Sequence, residues 1–442
     1  MPDRRATWFL IVLAIALRAA AILVLQSHTV PRSTYEHGEI AENLLSGRGF
    51  SVKFLGADGP TSQQAPIYPA ILAVAYAVGG IESPRALFLL QMAQAILGGV
   101  LVAGVLAMVR EIAPDRRWFA ILAGLISAVH PTLVYAATHV QVVALATTLL
   151  VWTLALAYRV GRTGRAGDAV AAGLALGLLV LTDPILGLVT PGAVWAVAMG
   201  QGGRKAIRPA AIAALTAFFC VTPWIVRNAT IHGEFVFIKS SFGYAFWQGN
   251  CALSEGTDKV VRASVEKKLT PRGSGLQAAN RALWEARHEA GYLDDIALTK
   301  ADYHELSRLS EPARSRLLFR RALDDLRADP WRYPTLCLRR LRYFILFDET
   351  NPKTRSLIYR VAHIGLTIAA VIGLILTTPS LRRRMGPTLL TAGLIALFHA
   401  MTIVSARFHV PIEPLMGLWA ASAVGRLGPP DSRISCPIGP PD

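Results

Sequence analysis

The sequence predicts an all-α polytopic membrane protein of about ten transmembrane helices, with juxtamembrane helices in the first outer loop and a mostly helical external domain. Three observations lead there. Hydrophobic residues make up 53% of the 442 and charged residues only 17%, at a mean hydropathy of +0.42. Soluble domains carry about 25% charge, so most of this surface is meant for something other than water. Apolar runs recur at the length of a bilayer crossing, about 20 residues at about 1.5 Å each, and short clusters of Arg and Lys separate them. This composition excludes a disordered chain, a collagenous repeat and a small disulfide scaffold.

The expected spans lie at 7–26, 86–109, 117–136, 141–158, 168–183, 185–200, 208–226, 357–377, 387–404 and 410–425. The first is too long for the h-region of a signal peptide and no small-residue cleavage site follows it, so a retained helix is expected. Asp183-Pro184 reads as a tight turn between two short helices. The piece 66–79 (PIYPAILAVAYAVG) is apolar but short and interrupted by proline, which suits a re-entrant or interface-lying helix.

With the N-terminus in the cytoplasm, alternation puts Arg110, Arg116 and Arg117, then Arg159, Arg162 and Arg165, then Arg204, Lys205 and Arg208, then Arg382, Arg383 and Arg384 on the inside. The short outer loops hold almost nothing basic. The positive-inside rule therefore fixes the expected topology. These clusters account for most of the formal net charge of +16, and no nucleic-acid partner is needed. The expected location is the bacterial cytoplasmic (inner) membrane.

Four regions follow. Residues 1–226 form a transmembrane module that includes the first outer loop, 27–80. Residues 227–355 form an external (periplasmic) domain, 356–426 the C-terminal transmembrane helices, and 427–442 a Pro-rich tail expected to be disordered. In the outer loop a helical pattern at 34–46 ends at Gly47-Arg48-Gly49. In the external domain 311–328 and 331–347 are amphipathic; the latter, with aromatics and arginines on opposite faces, suits a helix lying along the headgroups. Cys251 and Cys337 both fall in this domain, as a disulfide or as two unpaired thiols.

No metal-ligand spacing, P-loop or GxGxxG after a strand-like run is present, so nucleotide-driven chemistry has no support. The densest polar cluster is Tyr35-Glu36-His37-Gly38-Glu39. On a helix Glu36 and Glu39 share a face, and a partly desolvated carboxylate there can act as a general base or bind a cation. The plainer reading is a helix N-terminal turn, where glutamates favour the macrodipole. Arg18 lies inside the first span, where a charge marks function, snorkels, or pairs with a carboxylate such as Asp183. Arg227-Asn228 ends the seventh span and Arg407 opens the last outer turn. A guanidinium is well suited to phosphate, although each is equally an interfacial anchor. Together they suggest the handling of an anionic lipid.

These residues give the chain a resemblance to a family. Ala16-Leu17-Arg18, Glu36-x-Gly38-x-Ile40-Ala41-x-Asn43-Leu44, Gly47-Arg48-Gly49-Phe50, Pro60-Thr61 and Ala65-Pro66-x-Tyr68-Pro69 come first. Thr222-Pro223-Trp224-x-x-Arg227-Asn228, Phe242-Gly243, Trp247-x-Gly249-Asn250 and Arg407-Phe408-x-x-Pro411-Ile412-Glu413-Pro414 complete the set. In order and topology the chain resembles the type C (GT-C) glycosyltransferases, membrane enzymes related to the protein O-mannosyltransferases and the lipid A aminoarabinose transferase. The resemblance implies transfer of a sugar on the outer face, with inversion, from a polyprenyl-phosphate donor to a hydroxyl of a glycan, lipid or protein acceptor. It implies Glu36 as base, Arg227 or Arg407 at the phosphate, and Glu39, Arg18, Asn228, Tyr68, Trp224 and Trp247 as further substrate contacts. Gln141 after His139 departs from the acidic residue common in relatives, and His409 from a second arginine. Use of a divalent cation stays open, and no other cofactor is implied. A transporter or flippase of a lipid-linked glycan and a non-catalytic scaffold are the competing classes.

Overall fold

The computed structural model describes residues 2–30, 33–258, 275–289 and 293–423, without the side chains of 284–289 and 355. The tail expected at 427–442, with Cys436, lies outside them. In chain order the elements are α1 (Arg4–Leu25), α2 (Tyr35–Leu45), a hairpin of β1 (Ser51–Phe54) and β2 (Ala57–Pro60), α3 (Ile67–Gly79), α4 (Pro84–Ile112), α5 (Arg117–Val129), α6 (Pro131–Ala136), α7 (Val143–Thr163), α8 (Ala166–Val180), α9 (Thr190–Gln201) and α10 (Ile207–His232). The end domain adds α11 (Phe242–Asn250), α12 (Leu276–Glu289), α13 (Leu293–Ala297), α14 (Lys300–Ser307), α15 (Glu311–Ala328) and α16 (Arg332–Ile345). The chain closes with α17 (Leu357–Leu376), α18 (Pro379–Arg384), α19 (Gly386–Met401) and α20 (Glu413–Ala421).

Among the described residues, six helices are long and apolar enough to cross a membrane: Arg4–Leu25, Pro84–Ile112, Val143–Thr163, Pro184–Gln201, Gly203–His232 and Leu357–Leu376. Shorter apolar helices at Ile67–Gly79, Arg117–Val129, Ala166–Val180 and Gly386–Met401 pack among them. This is a multi-pass membrane protein. Burial shows which helices form its axis: 61% of the apolar window of α4 and 72% of that of α7 are buried, against 22% for α1 and 11% for the span that contains α10. Phe218 and Phe219 on α10 and Trp8 and Phe9 on α1 accordingly face outward.

The run 117–136, expected as one span, is broken. Pro131 has no N–H to continue a ladder and opens α6 at a position that suits it, while α5 stops at Val129. The carbonyls left at that break lie in the bundle interior, where nothing but protein can satisfy them. Arg18 does so. Its side chain is 1% exposed and donates to the carbonyls of Ala128 at 3.0 Å and Ser127 at 3.2 Å, and to Ala14 at 3.0 Å. Gly98 makes room: a Cβ there would lie 2.2 Å from Arg18 Cδ.

Two groups of loops gather at opposite ends of the bundle. At one, Arg117 pairs with Asp3 at 2.9 Å and Arg384 donates to the Ile112 carbonyl at 3.1 Å. Tyr158 donates to the Arg384 carbonyl at 2.7 Å. The basic clusters thus share one end, as alternation requires. At the other, Glu311 at the start of α15 accepts from the Thr61 hydroxyl (2.6 Å), the Ser62 N–H (2.7 Å) and the Ser240 hydroxyl. This carboxylate ties the first loop to the end domain.

The hairpin was not expected. Its register pairs Ser51 with Pro60 and Phe54 with Ala57, and its two-residue turn, Leu55-Gly56, has both φ positive at 49° and 80°. That is the twist a tight hairpin wants; the Asp-Gly that signals such turns lies in β2 instead. A second correction concerns 331–347. Helix α16 does not set its arginines opposite its aromatics. Arg340 is fully buried beside Tyr343 and Phe344 and donates to the carbonyls of Ala400 (2.7 Å) and Gly249 (2.8 Å), because the turns after α11 and α19 also strand carbonyls. Cys251 and Cys337 are both free thiols.

Arg18→Met is expected to lower stability by about 2–3 kcal/mol, since buried carbonyls lose charged donors, and Gly98→Ala to move in the same direction. Thermal unfolding of the purified variants in detergent reads both. An unshifted midpoint for Arg18→Met would show that the break is satisfied by other means.

Candidate functional site

A cavity of about 1350 Å³ opens at the end of the bundle that carries the first loop and the end domain. It has two characters. Leu176 and Val180 of α8, Leu188, and Ala217, Val221 and Ile225 of α10 line an apolar groove. Tyr35, Glu36, His37, Lys53, Gln63, Gln64, Gln141, Asp183, Lys239, Tyr244, Asp258 and Arg407 line the polar part. Such a shape fits an amphiphile.

Glu36 enters from the first turn of α2 and is half-buried. Among the described residues its carboxylate makes no hydrogen bond or ion pair, although it faces cations. The residue before it, Tyr35, sits at φ 50°, in the left-handed region that costs a side-chain-bearing residue about 1–2 kcal/mol. Gly38, two residues on, permits close packing of the turn: a Cβ there would lie 2.1 Å from Thr34 Oγ1. His37 is buried, and this desolvation, aided by the charges of Lys239 and Arg407, holds its pKa down to about 3. It is neutral at physiological pH and sits edge-on to Tyr68 at 5.1 Å.

Arg407 pairs with Asp258 at 3.5 Å and is about a third exposed, at 36%. Lys239 lies in the connection between α10 and α11 and donates to Gln64 Oε1 at 3.1 Å. Burial pushes its pKa below the ordinary value; Asp183 opposes this, Arg407 adds to it, and Glu36 opposes it more weakly. A lysine depressed in this way binds fewer protons folded than unfolded, so its contribution to stability rises with pH. Desolvation disfavours the charged ammonium, and an anion placed beside it would favour that form. Burial likewise raises the Tyr244 phenol well above its usual range.

Of the residues expected at the site, Glu36 and Arg407 line the cavity and the others do not. Glu39 accepts the Lys53 N–H at 2.7 Å and so fixes the hairpin. Arg227 donates to the carbonyls of Thr61 (2.6 Å) and Phe50 (3.0 Å) and stacks 4.5 Å from Trp224. Trp224 donates to the Ile238 carbonyl at 3.1 Å. Asn228, fully buried, accepts from Ser62 at 2.7 Å and donates to the same Ile238 carbonyl. Tyr68 donates to Gln94 Oε1 at 3.0 Å. Trp247 is packed in the apolar core of the end domain, and Arg18 caps α5. His139 points to Lys353, 2.8 Å away, while Gln141 faces the cavity.

Reading the residues alone missed Lys239 and Asp183 as partners in one cavity. Lys239 is a solitary cation directly after Phe235-Val236-Phe237-Ile238 at the exit of a span, a pattern that marks it in retrospect. Asp183 sits in the turn identified as such, but its direction is set by the fold of α8 against α10. Among the described residues the cavity's carboxylates do not converge with other donors as a set of three; His363, His409 and Glu413 do, elsewhere.

No family model and no curated protein matches the sequence. Solved structures do. The oligosaccharyltransferase of Archaeoglobus fulgidus in its apo form aligns at a TM-score of 0.56 and 14% identity, over 96% of this chain and 51% of that one. The same archaeal enzyme, AglB, in complex with an inhibitory peptide and a dolichol-phosphate aligns at 0.54 and 14%, over 95% and 50%. ArnT of Cupriavidus metallidurans bound to undecaprenyl phosphate aligns at 0.41 and 15%, over 95% and 77%, too low to bear on the fold. The chain spans about half the length of the archaeal enzyme it matches. The likeness shows a GT-C fold, as the resemblance implied.

If Lys239 receives an anion, affinity for a short-chain prenyl phosphate should fall as pH rises, at a pH below the ordinary lysine value of 10.5, because bound phosphate raises the lysine pKa and takes up a proton. Lys239→Arg, always charged, should flatten that fall. Titration by calorimetry or fluorescence at several pH values reads it, and superimposable profiles for the two proteins would remove Lys239 from the anion site.

Proposed function

We propose that the chain is a membrane glycosyltransferase that moves a sugar from a polyprenyl-phosphate donor to an acceptor hydroxyl on the outer face of the cytoplasmic membrane. The observation that carries this reading is the cavity: Glu36, a carboxylate with no hydrogen bond or ion pair among the described residues, shares a polar chamber with Lys239 and Arg407, and the chamber continues into an apolar groove lined by α8 and α10. The GT-C fold supports the same class of chemistry.

The groove takes the prenyl chain, since burying each CH₂ is worth about 0.8 kcal/mol. The phosphate lies toward Lys239 and Arg407, and the sugar between them and Glu36. Glu36 accepts the proton of the acceptor hydroxyl as its oxygen forms a bond to the anomeric carbon. The bond from that carbon to the phosphate oxygen breaks, and the electron pair leaves with the prenyl phosphate. The added negative charge falls where the two cations stand, so their attraction grows in the transition state and lowers the barrier. Attack opposite the leaving group inverts the anomeric carbon. Arg227 serves the frame in this reading, donating to the Phe50 and Thr61 carbonyls.

Glu36→Gln is expected to cut transfer by about 10²–10⁴-fold in membranes supplied with donor, while prenyl phosphate still binds. Undiminished transfer by a folded variant would remove Glu36 from the mechanism. Sidedness is tested separately with cysteines placed at Trp331, 82% exposed in the end domain, and at exposed Arg204 in a basic loop. A membrane-impermeant maleimide should label Trp331→Cys in intact cells and Arg204→Cys only after permeabilisation. The reverse pattern would place the cavity on the cytoplasmic face.

A further inference from the structure

Behind the cavity wall formed by Arg407, Phe408 and Pro411, four side chains converge in the interior: His130, His363, His409 and Glu413, between 0% and 6% exposed. They come from four places in the chain. His130 is the break between α5 and α6, His363 lies on α17, His409 on the turn before α20, and Glu413 is the first residue of α20.

Each imidazole presents Nδ1 to the Glu413 carboxylate. The distances are 3.4 Å from His130 to Oε2, 3.3 Å from His363 to Oε1 and 3.1 Å from His409 to Oε1. The opposite nitrogens are held from outside: His363 Nε2 by the Ile345 carbonyl at 3.0 Å, His130 Nε2 by the Ala362 carbonyl at 3.3 Å, and His409 Nε2 by the Tyr359 hydroxyl at 2.6 Å. A carbonyl only accepts, so Nε2 of His363 and of His130 must carry the hydrogen. In the neutral ring Nδ1 is then a lone pair, aimed at a carboxylate that is itself all lone pairs. The Thr132 hydroxyl, hydrogen-bonded to both His130 Nδ1 and Glu413, supplies one proton to this convergence. His409 Nδ1 has no hydrogen-bond donor or acceptor partner among the described residues. Protonating the rings instead would set several buried cations around a single carboxylate, at several kcal/mol each for those left unpaired.

A cation among the donors resolves the repulsion, and the spacing suits one. Ligands held tetrahedrally about 2.0–2.1 Å from zinc lie about 3.3–3.4 Å apart, close to the 3.3 Å and 3.1 Å from His363 and His409 to the same oxygen, Oε1. The outward hydrogen bond on each second ring nitrogen is also how metal-bound histidines are oriented. We propose that His363, His409 and Glu413, whose donor atoms all lie within 4.8 Å of one another, bind a divalent transition metal of the zinc type, with His130 and Thr132 orienting the carboxylate from its Oε2 side. The three ligands are at most 1% exposed and lie behind the cavity wall rather than in it, so the role of the ion is structural. It clamps the turn 402–412, which carries Arg407 into the cavity, to α17.

The test is metal content, read independently of any transfer assay. The chain, freed of its affinity tag and equilibrated with zinc before exhaustive dialysis, should retain about one ion by mass spectrometry. The His363→Ala/His409→Ala pair should retain none, and a strong chelator should lower the unfolding midpoint of the wild type but not of the pair. His409→Cys exchanges one zinc ligand for another; loaded with cobalt, it should show a thiolate-to-cobalt charge-transfer band that wild type lacks, which decides the matter if the alanine variant does not accumulate. Folded wild type without stoichiometric metal, retention of the ion by the alanine pair, or absence of the band would each overturn the proposal.

Discussion

A backbone carbonyl that leaves a helix inside an apolar bundle has no water to turn to, and stranding it costs several kcal/mol. In this chain the donor sent to meet it is repeatedly a guanidinium. Arg18 caps the end of α5, Arg340 the turns after α11 and α19, and Arg227 the Phe50 and Thr61 carbonyls flanking the hairpin. Arg332 closes the loop at Asn250 and Ser254, and Arg314 meets Phe54. A planar fork of five donors suits several carbonyls at once where an ammonium would serve them less directionally. Irregular backbone at the polar end of the bundle exists because these side chains hold it.

That arrangement also decides where small residues must stand. Arg18 needs the groove at Gly98. Arg340 donates to the Gly249 carbonyl where α11 approaches the turn after α19 so closely that a Cβ on Gly249 would meet Thr402 O at 2.1 Å. Glu311 performs the reciprocal task for donors, gathering hydroxyls and an N–H from two segments far apart in sequence. The frame around the cavity is therefore fixed by paired polar groups, and the cavity is what that frame leaves open.

The same logic explains which features were legible in the sequence. Apolar length and the placement of arginine clusters report lipid and its two faces directly, so the helices and the common end of the basic loops could be read off; so could α2 and its stop at Gly47. An arginine that caps a carbonyl and one that binds a phosphate have the same sequence signature, a cation at the edge of an apolar run. Arg18, Arg227 and Arg407 were alike in this respect, and tertiary contacts alone separate Arg407 from the other two. Aromatics suffered the same ambiguity: Trp224 and Trp247 suggested sugar platforms and turn out to be packed or bonded to the frame. The hairpin was hidden because Leu-Gly is not a usual type I′ pair, and Lys239 because one lysine in a polar connection carries no periodicity.

Sorting charges into those spent on the frame and those that face the cavity gives the chemical reading its force. Glu39 and Glu36 sit one helical turn apart, yet the first is consumed by the Lys53 N–H and the second faces the chamber with no hydrogen bond or ion pair among the described residues. Lys239 is buried close enough to Asp183, Arg407 and Glu36 for all three charges to act on it. A protein interior rarely tolerates such a set for stability alone, since desolvation of an incompletely paired charge is a cost with no packing return. The set makes sense when a ligand completes it. The lining sets four carboxylates, Glu36, Asp183, Asp258 and Asp294, against the cations Lys53, Lys239 and Arg407, and the proposed phosphate would lie beside the last two. The neutral His37 beside Glu36 adds no competing charge. A charged chamber that runs into an apolar groove is what the proposed amphiphile would use, and the frame of capped carbonyls is what keeps the two features aligned.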